Sequence, residues 1–386
     1  MRSDGRKWLA DRQLRSRLAA SDAAGRRKGR GAKVFGIGKT RTLVGLDIGS
    51  SAAKAVELKT AGKVQRVVAF ATEPISPDSI VDGAIIDGAG VADAVRRALE
   101  RAGSKTRDVA GSLSGNAVIV KKISLPQMTD AELAESIRWE AEQYIPFDVQ
   151  DVNLDYQILD AGGTAGKTSM DVLLVAAKKD KIGDYTGVIA QAGRTPVVMD
   201  VDAFAIQNAF EANYDIDPDV VHVLMNVGAS ATNINIVAGG TSLFTRDISI
   251  GGNAFTEAIQ REFNLPFEQA EQAKCARGSA TVTSEDLAPV LRAVTDNVLL
   301  EIQKTFDFFR ATATTDRLDR IMLCGGSSRI DGLFAALGER FGLPVDALNP
   351  FRRIEFDEAR LGVSVDEIAP TAVVAVGLAL RREGDR

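Results

Sequence analysis

The chain has 386 residues, of which 45% are hydrophobic and 26% are charged, and its formal net charge is −5. This length exceeds one ordinary hydrophobic core, so we expect at least two lobes. The acidic balance argues against nucleic acid as the main partner. The two distant cysteines exclude a disulfide framework, and the single histidine, His222, lies in an apolar run that is typical of a core strand, which argues against histidine-based catalysis.

The first 40 residues are rich in arginine, lysine, alanine, serine and glycine and contain few large apolar side chains. This composition predicts a disordered basic arm. Contact of the arm with anionic lipid or nucleic acid is one interpretation, and a solvated tail is the simpler one. We find neither the run of about 18 apolar residues that a membrane span requires nor the apolar core of a secretory signal, so we expect a cytoplasmic protein.

Residues 43–59 carry the pattern on which the functional prediction depends. The apolar run that ends at Ile48 includes one acid, Asp47, and a second strand-like run carries Lys54. Between the two runs lies a turn of three small residues, Gly49, Ser50 and Ser51. Small residues let backbone N–H groups approach a phosphate closely, a lysine adds positive charge, and a carboxylate suits Mg²⁺, here through water. The alternative is an ordinary hairpin whose charged side chains face solvent.

The next part of the chain does not alternate strands with helices in the manner of a Rossmann domain. Residues 119–195 instead indicate an inserted α+β module. A capping box of Thr129 and Glu132 begins its first helix, and Pro146 ends that helix. Two strands and a second helix over 181–192 follow. The glycine-rich stretch between the two strands imitates a Walker A loop, but its position predicts a hairpin tip.

The opening pattern returns about 180 residues later. Residues 220–226 form an apolar run, a small-residue turn follows, and residues 232–237 form a second run. The turn consists of Gly228, Ala229 and Ser230. Asn226 stands where the first copy has Asp47. This internal repeat predicts two lobes of one topology.

The last third of the chain predicts a long helix over 285–310, an apolar strand that ends at Cys324, and a closing helix from Pro370 to Leu380. Three small residues follow that strand and precede a helix over 332–341, namely Gly325, Gly326 and Ser327. A strand, a glycine pair and a helix place free N–H groups at a helix N-terminus, which suits an anion or a nucleotide.

Together these motifs resemble those of the actin-like ATPase superfamily, which includes actin, the sugar kinases, the large heat-shock chaperones and FtsA. The first hairpin resembles its first phosphate motif, residues 226–230 its second, and residues 323–328 its adenosine motif. Residues 200–205 and 372–380 resemble its connecting segments, and residues 270–274 resemble its Ala-Glu-x-x-Lys helix.

This resemblance implies an α/β fold with two actin-like, ribonuclease H-like lobes and an inserted FtsA-type small α+β module. The implied divisions are a basic arm at 1–40, a first lobe at 41–118 and 196–218, the module at 119–195, a second-lobe core at 219–250 and 319–386, and a helical subdomain at 251–318.

Within the superfamily, residues 137–147, 172–179 and 244–253 are similar to the PilM family of type IV pilus assembly proteins. That resemblance implies ATP and Mg²⁺ as cofactors and a cytoplasmic scaffold associated with the inner membrane through its partners. The implied partners are the cytoplasmic N-terminal tail of PilN, PilO indirectly, the pilus motor ATPases and the platform protein, with a homo-oligomer as a further option.

The superfamily motifs assign roles to particular residues. Phosphate contacts fall on Gly49, Ser50, Ser51, Lys54, Gly228, Ala229 and Ser230. Adenosine contacts fall on Glu271, Lys274, Gly325, Gly326 and Ser327, with a helix-surface ion pair as the alternative for the first two. Asp47, and weakly Asn226, would serve Mg²⁺. Trp139, Tyr144 and Phe147 are candidates for the partner groove, the alternative being core packing of the module.

One departure from the superfamily pattern limits the expected catalysis. Asn226 occupies the position of the usual second acid, and an amide cannot supply that negative charge. Asp200 and Asp202 remain candidate general bases, depending on their reach. We therefore expect ATP binding with slow hydrolysis or none. The alternatives are an active ATPase or small-molecule kinase, and an FtsA-like membrane tether of a filament.

Overall fold

The computed structural model describes residues 42–62, 64–159, 168–276, 278–279, 282–313 and 315–383. The expected basic arm at 1–40 and nearly all of the Walker-like loop at 161–168 lie outside these residues. Among the residues described, no helix combines the length and apolar character that a membrane span needs.

The chain forms sixteen strands and ten helices within the described residues. The strands are β1 Val44–Ile48, β2 Ala52–Ala61, β3 Val64–Pro74, β4 Ile80–Val81, β5 Ala84–Ile85, β6 Asp108–Leu113, β7 Val118–Pro126, β8 Val152–Ile158, β9 Ser169–Lys178, β10 Thr195–Val201, β11 Val221–Val227, β12 Thr232–Ala238, β13 Thr241–Ile248, β14 Arg320–Cys324, β15 Val345–Ala347 and β16 Ile354–Glu355. The helices are α1 Gly88–Ala102, α2 Asp130–Glu142, α3 Lys179–Gln191, α4 Asp202–Asn213, α5 Gly252–Phe263, α6 Phe267–Ala276, α7 Ser284–Thr312, α8 Leu333–Phe341, α9 Glu358–Leu361 and α10 Val365–Ala379.

Two sheets repeat one topology. The first runs β10-β6-β1-β2-β3-β16 and the second runs β13-β12-β11-β14-β15. In each sheet an antiparallel meander of three strands is followed by two strands parallel to its first member. The predicted first hairpin is confirmed, with Asp47 directly opposite Lys54, and so is the duplication of the lobe topology.

Helices α4 and α10 lie between the two sheets, where their apolar side chains join residues of both sheets in one buried cluster. Very close approach makes small residues necessary here. A Cβ on Gly45 would clash with the backbone of α10, and one on Gly377 would clash with the carbonyl of Ala205 in α4. The contacts of α10 with β1 and with α4 are therefore closely packed, backbone against backbone.

The closing helix begins at Val365 rather than at Pro370, which corrects the predicted start. A proline inside a helix has no N–H for the carbonyl four residues earlier, here that of Asp366. Arg329 donates to this carbonyl at 3.1 Å and also to the carbonyl of Glu367. A side chain from a distant turn thus supplies the donor that Pro370 lacks.

The inserted module consists of the three-stranded sheet β7-β9-β8 covered by α2, with its own buried cluster. The predicted capping box of Thr129 and Glu132 is present at the start of α2. Helix α3 was expected in this module, but its buried side chains, including Tyr185 and Ile189, join the core of the first lobe with α1. On the second lobe, α5, α6 and α7 pack over the outer face of the sheet.

Candidate functional site

The first hairpin holds a partly buried ion pair. Lys54 Nζ lies 2.9 Å from Asp47 Oδ2, and each side chain is 13% exposed. The cross-strand register places the two residues opposite each other, so the sheet itself fixes the pair. A carboxylate and an ammonium group are thereby presented together beside the turn of small residues.

The turns of the two hairpins have the same internal hydrogen bond and meet each other. Gly49 N donates to Ala52 O at 3.1 Å, and Gly228 N donates to Ala231 O at 2.9 Å. The hydroxyls of Ser50 and Ser230, one at each tip, lie 2.8 Å apart. The predicted phosphate loops, with Ser51 and Ala229 beside these serines, therefore face each other across the cleft between the lobes.

Helix α5 fixes the second turn from behind. Gly252 N donates to Gly228 O at 2.9 Å, and Asn253 N donates to Ala229 O at 2.7 Å. A side chain on Gly251 would clash with those two residues. The first N–H groups of α5 are thus bonded to the turn itself, which holds its conformation.

The predicted adenosine loop packs against the same turn. Gly325 has a φ of 93°, and a Cβ there would clash with the carbonyl of Val227. Ser327 Oγ donates to Gly228 O at 2.8 Å. The helix predicted over 332–341 is confirmed as α8, Leu333–Phe341, and a 3-10 turn, Gly326–Arg329, lies between the glycine pair and that helix.

Glu271 and Lys274 do more than form a pair on a helix surface. Lys274 Nζ, with its side chain only 9% exposed, contacts Glu271 at 2.6 Å and donates to Thr256 at 2.8 Å and to Gly252 O at 3.1 Å. Burial opposes ionisation of Glu271, but hydrogen bonds from Lys274 and Thr256 outweigh burial and lower the pKa of that carboxyl. The pair ties α6 to the start of α5, beside Ser327.

The two candidate bases occupy different environments. Asp202 begins α4 and accepts a hydrogen bond from Ser112 Oγ at 2.5 Å. Burial and then the charge of Asp47 raise the pKa of Asp202 to about 7. Asp200 instead lies 3.4 Å from Arg381 Nε, and both side chains are almost completely buried. The structure therefore brings Asp202 near Asp47 and holds Asp200 in a separate ion pair.

A row of three polar residues crosses the second sheet, and only the first of them, Asn226, was predicted as part of the site. Asn226, Asn233 and Asp247 are direct cross-strand neighbours on β11, β12 and β13. Asn226 Nδ2 donates to Asn233 Oδ1, and Asn233 Nδ2 donates to Asp247 Oδ1, each at 2.8 Å. Asp247 Oδ2 accepts from the backbone N–H of Gly115 in the first lobe. We call these three residues the amide row; repeated polar residues in otherwise apolar strands were the available signal.

A groove of about 450 Å³ lies where the module, the first lobe and the second lobe meet. Phe147 lines it, with Lys178 Nζ 4.2 Å from the centre of its ring. Tyr144 packs instead against the module core beside Lys121. Trp139 lies on the outer face of α2 and is 73% exposed. Of the three aromatic residues predicted for the partner groove, only Phe147 lines this cavity.

The arrangement is compatible with a bound Mg–nucleotide. Small residues at both tips, the Lys54 ammonium group and the closely packed Gly325 loop form the kind of backbone cradle that phosphates occupy. In the part of the chain that the structure describes, no three acids, cysteines or histidines converge to hold a metal directly. An Mg²⁺ ion bound with a nucleotide would take water and phosphate oxygens as ligands, and the Asp47 carboxylate could accept hydrogen bonds from those waters.

Comparison with known proteins agrees with this geometry. The family model described as type IV pilus assembly protein PilM matches residues 45–383. A solved structure titled PilM-PilN type IV pilus biogenesis complex is 32% identical, covers 89% of this chain and 99% of its own, and has a TM-score of 0.79. The ethanolamine utilization protein EutJ from Carboxydothermus hydrogenoformans is 18% identical over 88% of this chain and 89% of its own, with a TM-score of 0.52, and shares the fold alone. The predicted two-lobed actin-like fold is thereby confirmed, and the chain belongs to the PilM family of type IV pilus assembly proteins.

Proposed function

We propose that this protein is an ATP-binding scaffold of type IV pilus assembly, which binds the cytoplasmic tail of a PilN protein and links PilN and PilO to the pilus motor. The observation that carries the nucleotide part is the meeting of two equivalent hairpin tips, with Ser50 and Ser230 in hydrogen-bond contact across the cleft. A polyphosphate that lies beside these paired tips would contact both lobes at once.

The residues available to hold ATP divide into two groups. The phosphates would be held by the backbone of the two turns and by Lys54, with Asp47 orienting the water around Mg²⁺. The adenosine would lie along Gly325, Gly326 and Ser327, with the Glu271–Lys274 pair opposite. These residues would thereby couple the binding free energy of ATP to one arrangement of the two lobes.

Slow hydrolysis follows from the chemistry of the second hairpin. Asn226 donates its amide to Asn233 and contributes no negative charge toward Mg²⁺. Asp202 is the one candidate base of the pair near Asp47, and its raised pKa of about 7 lies in the range that suits a general base at neutral pH. What favours a scaffold over an active ATPase or a kinase is therefore Asn226, which replaces the second acid.

The partner part of the proposal rests on the groove. The similar solved structure is titled as a complex of PilM with PilN, and the groove beside Phe147 combines apolar and cationic walls, including Lys178 and Arg246. A short extended tail suits such a channel. The protein would then be cytoplasmic and held at the inner membrane by PilN, with PilO as an indirect partner. The motor ATPases, the platform protein and further copies of the chain would be its other partners.

Two titrations test the proposal. Fluorescent ATP with Mg²⁺ should bind at a single site, with phosphate release well below about 1 s⁻¹. A labelled peptide with the sequence of a PilN cytoplasmic tail should bind the folded chain, and Phe147→Ala should weaken it about tenfold or more. Trp139→Ala is the matched control and should leave the affinity unchanged. Absence of nucleotide binding would refute the first part, and equal peptide affinity of Phe147→Ala and wild type would refute the second.

A further inference from the structure

Asp247 belongs to two sites at once. Within the second lobe it ends the amide row that starts at Asn226 on the second phosphate hairpin. Across the cleft it accepts the backbone N–H of Gly115. The same residue also lines the groove that we assign to the partner tail. One carboxylate therefore connects the nucleotide cleft, the opposite lobe and the groove.

The segment that Asp247 contacts is also held from the first lobe. Ser112 and Ser114 both donate hydrogen bonds to the side chain of Asp202. The 3-10 turn Gly115–Ala117 follows immediately and leads into β7. Any shift of this turn moves the start of β7, whose residues Val118, Ile119 and Val120 form one wall of the groove.

The opposite wall of the groove comes from the other lobe. Thr245, Arg246 and Asp247 lie on β13, which is an edge strand of the second sheet. The strand β7 is an edge strand of the module sheet. One wall belongs to the module that is inserted in the first lobe, and the other belongs to the second lobe. The width of the groove therefore depends on how far the two lobes are closed. A segment that fits the groove contacts both lobes and favours one degree of closure.

We propose that Asp247 is a positioning residue that couples closure of the cleft over a nucleotide to the shape of the groove, so that nucleotide and partner tail bind cooperatively. This inference rests on the proposed function, since it needs both ligands. Each ligand bridges the same two lobes, and each therefore stabilises the arrangement that the other requires. By thermodynamic linkage, each must raise the affinity of the other by the same factor.

The test measures that factor with two probes. A fluorescein-labelled peptide with the sequence of a PilN cytoplasmic tail is titrated with the full chain, with and without saturating AMPPNP and Mg²⁺. In the wild type, the nucleotide should tighten peptide binding at least about fivefold, which is the lower end of ordinary coupling between sites. The ratio of the two affinities is the readout, so a direct effect of a variant on peptide contacts cancels.

Three variants locate the coupling. Asp247→Asn replaces an acceptor by a donor that faces Asn233 or Gly115, and the ratio should fall toward one. Asn233→Ala interrupts the row before Asp247 and should also lower the ratio, which keeps the test valid if Asp247→Asn fails to fold. Asp346→Asn, on the opposite edge strand and paired with Arg320, should keep the wild-type ratio.

The possible outcomes distinguish a failure of the coupling from a failure of the proposed function. A wild-type ratio of one with both ligands bound would overturn the coupling and leave the proposed function intact. A full wild-type ratio in both Asp247→Asn and Asn233→Ala would overturn the role of Asp247. If the wild type binds no peptide, or if a separate titration shows no nucleotide binding, the proposed function fails and this inference fails with it.

Discussion

The two hairpins have the same backbone arrangement but carry different side chains at equivalent positions. The first pairs Asp47 with Lys54 across its strands, and the second pairs Asn226 with Asn233 at the equivalent cross-strand positions. Both pairs are hydrogen bonded, at 2.9 and 2.8 Å. The two copies thus have the same turn geometry. The first hairpin presents a charged pair at the cleft, whereas the second forms hydrogen bonds between neutral amides that continue to Asp247 on the neighbouring strand.

Under the proposed function, this difference would give the two lobes different roles in the site. A charged pair suits a phosphate and a hydrated metal ion, since each ligand carries charge. A pair of amides binds no metal strongly. Each amide both donates and accepts a hydrogen bond, so a change in the orientation of one amide changes the orientation of the next. The first lobe would then supply the charges of the site, and the second lobe would connect closure of the cleft to Asp247 through hydrogen bonds.

The largest expected effect comes from removing the cation of the first hairpin. Lys54→Ala leaves Asp47 unpaired beside the phosphates and should weaken Mg–ATP binding about 100-fold, as expected for loss of a charged hydrogen bond. Equilibrium titration with fluorescent ATP measures this change. Lys304→Ala, on α7 and paired with Glu301, is the control. Equal affinities for the two variants would contradict the assignment of Lys54.

The next effect is a pH dependence that belongs to the first lobe. Asp202 has its pKa raised from 3.8 to about 7, so between these values the folded chain binds more protons than the unfolded chain. The free energy of unfolding should therefore fall as the pH rises through this window. From pH 5 to 8 the wild type should lose about 2 kcal/mol more than Asp202→Asn, measured by denaturant unfolding. If the free energy of unfolding falls equally in both proteins, titration of the buried Asp202 is not the cause of the pH dependence.

Exchanging the chemistry of the hairpins should produce an intermediate effect. Asp47→Asn gives the first hairpin the amide of the second, and the dependence of nucleotide affinity on Mg²⁺ should decrease about tenfold. Asn226→Asp makes the reverse change and should increase that dependence and the rate of phosphate release. Titrations with and without Mg²⁺ compare the two variants. No difference between them would mean that the hairpins do not divide the metal chemistry.

The smallest effect concerns the contact between the tips. Ser50→Ala and Ser230→Ala remove the same hydrogen bond from opposite sides, and each should reduce the free energy of unfolding by about 1 kcal/mol or less. In a double-mutant cycle, the second substitution should add almost nothing to the first. Additive losses would show that the serines stabilise their own turns rather than each other.

The sequence was sufficient to predict the local parts of this site. The first hairpin, the capping box and the repeated lobe follow from alternation of apolar residues and from turn composition, which act over a few residues. The sequence left open whether Glu271 and Lys274 form only a surface ion pair. Their contacts with Thr256 depend on how α5 and α6 pack, which the sequence does not show.

The parts that the sequence did not predict depend on long-range packing. Asp200 and Asp202 look equivalent in the sequence. In the structure, Asp200 lies near the end of β10 and forms a buried ion pair with Arg381, whereas Asp202 begins α4 and lies near the cleft. Asp247 lies 132 residues from Gly115 in the chain, so docking of the lobes alone makes it part of the site. The start of α10 at Val365 could not be predicted locally, because Arg329 from a distant turn supplies the hydrogen-bond donor that Pro370 lacks.

Hydrogen–deuterium exchange of the full chain with and without Mg–ATP can show whether both hairpin tips take part in nucleotide binding. If two equivalent hairpins close over one nucleotide, residues 49–52 and 228–231 should gain protection together and at the same nucleotide concentration. Protection of one tip alone, or of neither tip at saturating nucleotide, would contradict the account.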